Sequence, residues 1–109
     1  MFLVLLRFSA NRAAAGRFLD AHKAWIARGF DDGVFLLVGS LRPDLGGAIL
    51  AHGTSLEELR RWVDDDPFVA EDVVSAEILE IAPSQTDARL AFLLGEAPAS
   101  GAGAQTAPA

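Results

Sequence analysis

What most narrows the fold is the order in which two hydrophobic periods follow one another. Residues Phe2 to Phe8 place Phe2, Val4, Leu6 and Phe8 on one face and Leu3 and Leu5 on the other, which is the period of a strand. A stripe spaced by three and four follows: Ala15, Phe18, Leu19, His22, Trp25, Ile26 and Gly29, the period of an amphipathic helix. Asn11 stands where a cap is needed, so this helix is expected to run from there to about Arg28. Gly29 and the turn Asp31-Asp32-Gly33 would close it. Val34 to Val38 and Gly47 to His52 read as two strands, joined by a turn-rich loop and placed to pair antiparallel. A second helix opens at Thr54 or Ser55, since both Thr54…Glu57 and Ser55…Glu58 have capping-box spacing. Leu56, Leu59 and Val63 form its stripe, with Trp62 beside them. Pro67 disfavours helical geometry at Asp66, so the helix is expected to stop near there. Val74 to Ile81 reads as a last strand, and about Asp87 to Leu94 as one or two helical turns.

That order, β-α-β-β-α-β, predicts a ferredoxin-like α+β fold: a four-stranded antiparallel sheet with both helices on one face. The chain has 109 residues, the size of one domain, and 51% are apolar, enough for a core. Residues 1–95 are expected to form that domain. Residues 96–109, rich in Ala, Gly and Pro, have nothing to bury and are expected to be disordered. The strands are apolar on both faces, so the face without helices needs a cover. A second copy of the chain is the simplest one, and a homodimer packed sheet against sheet is the expectation.

Charge and composition exclude several classes. The net charge is −6 and the few Lys and Arg are scattered, so no basic patch is available to follow a phosphate backbone and nucleic acid is not an expected partner. The absence of cysteine removes disulfide scaffolds, thiolate catalysis and Cys-based zinc sites, and fits a cytoplasmic protein. The apolar start Met1 to Leu6 lacks a basic segment before it and is interrupted by Arg7, unlike a signal peptide. No run approaches the roughly 20 apolar residues that span a bilayer, so no membrane partner is expected. Two histidines without metal-ligand spacing predict neither a metal site nor a cofactor held by one.

Against this background His22 is out of place. An imidazole in the apolar seam of a helix costs free energy unless it finds a hydrogen-bond partner. The conspicuous candidate is the acidic turn Asp64-Asp65-Asp66-Pro67-Phe68. A helix C-terminus disfavours carboxylates, so Asp64 and Asp65 read as solvated. Pro67 fixes the backbone beside Asp66 and Phe68 anchors it, so Asp66 is the carboxylate held in a defined direction. A carboxylate beside an imidazole orients the ring, and His22 with Asp66 forms a candidate acid–base pair. Trp25 and Phe68 would give it an apolar wall. In the Gly39–Gly47 loop, Ser40 and Arg42 supply a hydroxyl and a guanidinium, and the glycines let a ligand approach the backbone closely. The spacing matches neither phosphate-binding fingerprint. Arg7, a charge on an apolar strand, is a candidate to meet an anion, an acidic side chain or solvent. His52 reads as an exposed strand end.

These residues together resemble the YCII-related family. The resemblance rests on Asp20-Ala21-His22-Lys23-Ala24-Trp25, Asp32-Gly33-Val34-Phe35-Leu36, Gly39-Ser40, Gly46-Gly47-Ala48-Ile49-Leu50-Ala51, Asp66-Pro67-Phe68-Val69 and Leu90…Leu93-Leu94-Gly95. It implies a dimeric α+β barrel built from ferredoxin-like units and a pocket holding a His–Asp pair, here His22 and Asp66. It also implies an activity in some relatives, the dehydrochlorination of chlorinated hydroxyquinols. Many relatives have Gly-Pro where this chain has Gly39-Ser40. Two functions follow as expectations: a cofactor-free, lyase-type enzyme on a small cyclic or aromatic molecule, or a non-catalytic module that binds a small metabolite or serves dimerisation. An open cavity reaching His22 favours catalysis or metabolite binding over a purely dimerising role.

Overall fold

The computed structural model of the chain describes residues 1–95. The expectation for the tail, residues 96–109, lies outside them. Four strands, β1 (Phe2–Phe8), β2 (Phe35–Leu41), β3 (Gly46–Ala51) and β4 (Val74–Glu80), form one sheet in the order β2-β3-β1-β4, every neighbouring pair antiparallel. Helix α1 (Ala15–Asp31) connects β1 to β2, and α2 (Leu56–Asp64) with a short α3 (Pro67–Ala70) connects β3 to β4. This is the ferredoxin-like α+β arrangement that the periodicity predicts.

The alternation in β1 decides which face is covered. Phe2, Val4 and Leu6 are buried, whereas Leu3 and Leu5 are only half-buried. Trp25 from α1, Leu59 and Val63 from α2 and Phe68 from α3 complete the core over the first set. Each such side chain contributes about 1.5–3 kcal/mol by leaving water. On the other face the strand register aligns Leu37, Leu50, Leu3 and Leu79 across all four strands. Leu37 and Leu79 in that row are exposed.

Local chemistry places the helix ends, with three departures from the sequence expectation. A 3-10 turn, Arg12–Ala14, precedes α1, and the Asn11 side chain does not cap it. Its amide donates instead to the Glu71 carbonyl oxygen at 2.8 Å, tying the start of α1 to the end of α3. Helix α1 continues past Arg28 through Gly29 to Asp31, and the chain turns at Gly33, where φ is +73°. Gly29 is there for packing: a Cβ on it would run into the Phe35 ring. The third departure is at Pro67. It does exclude helix at Asp66, but in doing so it makes Asp66 an extended N-cap (φ −62°, ψ 123°) and itself the first residue of α3. Helix α2 opens as the capping spacing predicts, with the Ser55 hydroxyl accepting from the Glu58 N–H at 3.1 Å. After β4 a 3-10 segment, Ala88–Gly95, buries Leu93.

Candidate active site

His22 lies midway along α1 on the side that faces the sheet, with Leu19 and Ile26 one turn away on either side. Asp66 and Phe68 reach it from the corner between α2 and α3. His22 Nδ1 lies 2.7 Å from Asp66 Oδ1, and the same oxygen accepts the Phe68 N–H at 3.0 Å. Asp66 is the one buried charged residue of the described core, with no exposed surface. Its Oδ2 is also buried and meets no donor among the described residues, so Oδ1 carries all of its visible hydrogen bonding. A carboxylate only accepts, so Nδ1 carries the hydrogen of the shared bond and Nε2 is the ring nitrogen not engaged by Asp66. The ring is held by its face as well as its edge. Phe68 stacks on it with centroids 3.9 Å apart and planes 3° from parallel, and Trp25 lies beyond at 6.0 Å.

His22 forms part of the wall of a cavity of about 390 Å³ between α1 and the sheet. That is near the lower end of the range for small-molecule sites. Leu6, Phe8, Val38 and Ile49 from the strands, with Leu19 and Ile26 from α1, make most of the surface apolar. Ser40 and His22 are its polar side chains, and no Lys, Arg, Asp or Glu lines it among the described residues.

Of the residues proposed from sequence, the fold brings His22, Asp66, Ser40 and Phe68 together. Trp25 stands behind the pair: it is buried, and its indole N–H donates to the Trp62 carbonyl at 2.9 Å. Arg7 is elsewhere. Strand parity turns it to the helix-free face of the sheet, where it pairs with Glu77 at 2.8 Å. Arg42 is exposed in the β2–β3 turn and does not line the cavity. The sequence reading placed Ser40 in a loop, whereas it lies in β2, and it missed the apolar strand residues of the wall, Leu6, Phe8, Val38 and Ile49. Only the pairing register brings these beneath His22. The other histidine, His52, meets the Phe92 ring edge-on at 5.4 Å. Among the described residues no group of three His, Asp or Glu side chains is placed to hold a metal ion, and no helix is long and apolar enough to cross a membrane.

A four-stranded antiparallel sheet with its helices packed on one face defines the ferredoxin-like α+β class, here with a histidine–carboxylate pair at the wall of a small apolar cavity. The chain belongs to the YCII-related domain family, whose model matches residues 1–82. The fold is similar to that of 5-chloro-2-hydroxyhydroquinone dehydrochlorinase from Burkholderia phenoliruptrix AC1100, solved in complex with 2,5-dihydroxybenzoquinone. The TM-score is 0.60 at 14% identity, over 74% of this chain and 93% of that one. No curated protein matches the sequence.

Proposed function

We propose that the chain is a cofactor-independent, lyase-type enzyme that moves a proton on a small cyclic or aromatic molecule bound between α1 and the sheet. The observation that carries this reading is the His22–Asp66 bond at the wall of an apolar cavity. Asp66 orients the ring and its negative charge balances the imidazolium that forms, a role asparagine cannot fill, while Nε2 takes a proton from an acidic position of the substrate. The freed electron pair forms the new double bond, and a leaving group such as halide departs with its own bonding pair. No oxidant is required. The Ser40 hydroxyl binds a polar substituent. The similar structure of a dehydrochlorinase holding a quinone supports this choice of chemistry.

The test is a screen of halogenated phenols and hydroquinones, read by halide release. Turnover is expected in the wild type and lost in His22→Gln and in Asp66→Asn, with melting curves reporting the fold. Turnover that persists in His22→Gln sinks the proposal. Saturable binding without turnover favours a binding module instead.

The assembly belongs to the same proposal. The apolar row Leu37, Leu50, Leu3 and Leu79 supports a homodimer closed through the helix-free face. Light scattering on a sizing column is expected to give twice the chain mass at micromolar concentration. A monomer there overturns it. The chain has no cysteine and so needs no oxidising compartment to fold, which supports a cytoplasmic setting.

A further inference from the structure

The two adjacent glycines at the start of β3 are there for different reasons. Gly46 has φ +132°, and a Cβ on it would run into the Leu6 carbonyl oxygen, so the backbone itself requires glycine. Gly47 has neither constraint. Its φ is not positive, and a Cβ on it would meet only the Gly39 carbonyl oxygen, at 3.2 Å, a contact relieved by a shift of a few tenths of an ångström. A strand interior favours a branched residue, and glycine there weakens the strand.

What Gly47 provides is space. On the covered face the register sets Val38, Ile49, Val4 and Ile78 side by side, a row filled by branched side chains. The next row is Ser40, Gly47, Leu6 and Ala76. Gly47 is the gap in it, and both Gly47 and its flanking residues Ser40 and Leu6 line the cavity that His22 faces from above.

We infer that Gly47 is the specificity-determining position of this cavity: its missing side chain is the floor on which an uncharged ring rests beneath His22. This inference rests on the proposed ligand site, and it goes beyond the proton transfer in naming what selects the ligand. A side chain at position 47 occupies the space of the ring and leaves His22 and Asp66 in place. No cationic residue lines the cavity among the described residues, so the ring is selected by fit and not by charge.

The experiment uses the full chain and phenol as the probe. Amide chemical shifts are followed by NMR in the wild type, Gly47→Ala, Gly47→Val and His22→Gln. In the wild type, phenol is expected to shift Gly46, Gly47 and Ala48. Gly47→Val is expected to weaken phenol at least tenfold with native amide dispersion retained, and Gly47→Ala about threefold. Unchanged phenol affinity in a folded Gly47→Val overturns the inference, and so does a wild type that shows no shifts at these amides. If Gly47→Val does not fold, Gly47→Ala decides: unchanged affinity there overturns it as well. Binding alone reads this result. Persistent turnover in His22→Gln removes the proposed chemistry and leaves the role of Gly47 to be judged on its own data.

Discussion

Replacing Asp66 by alanine removes one oxygen that two donors share, and the cost follows from those donors. The Phe68 N–H loses its cap, which costs about 1 kcal/mol. The His22 Nδ1–H is left without its acceptor in a side chain only 13% exposed, which costs about 1–3 kcal/mol. Removing Oδ2, buried without a donor, returns part of this. The net loss is expected to be about 2–3 kcal/mol, or roughly 10–20 °C in melting temperature for a domain of this size. Asp66→Asn keeps an acceptor at the Oδ1 position, and asparagine caps as well as aspartate, so its cost is expected to stay near or below about 1 kcal/mol. Urea unfolding followed by the fluorescence of Trp25 and Trp62 measures both variants, provided the slopes match the wild type. An alanine cost below about 1 kcal/mol, or an asparagine variant as unstable as the alanine one, refutes the assignment of both bonds to Oδ1.

Other substitutions test separate parts of the fold. Gly29→Ala forces a methyl group against the Phe35 ring and is expected to cost about 1–3 kcal/mol in urea unfolding, whereas a helical alanine in open space would stabilise. Ser55→Ala removes the hydroxyl that accepts from Glu58 and is expected to cost about 1 kcal/mol by the same assay. Leu50→Glu places a charge in the apolar row of the helix-free face and, if the proposed dimer closes there, is expected to leave a folded monomer by light scattering. A Leu50→Glu dimer as tight as the wild type would put the interface elsewhere.

The order of elements was legible because strand and helix periods differ and each apolar residue votes for one of them. Boundaries were less so, because the deciding contact is often distant in sequence. Gly29 reads as a helix stop, yet a ring six residues later occupies the space of its Cβ and the helix runs on. Pro67 reads as the end of one helix, yet the same restriction on Asp66 begins another, and Asp-Pro is a cap followed by a first-turn residue. The pairing of His22 with Asp66 was accessible from local arguments alone: an imidazole in an apolar seam and one carboxylate with a fixed direction. The parity of β1, already visible in its alternation, places Arg7 opposite the covered face. The cavity was not legible, because it depends on which residues of β2, β3 and β1 fall in one row, and register is a property of the assembled sheet.

Asp66 Oδ1 is both the cap of α3 and the acceptor for His22. A lineage that had lost its chemistry would therefore still be held to this aspartate by folding, and the pair alone does not tell an active descendant from an inactive one. Gly47 is under no comparable obligation from the backbone. Under the proposed function, divergence falls most easily on the floor of the cavity, which can change shape while the His22–Asp66 corner stays as it is.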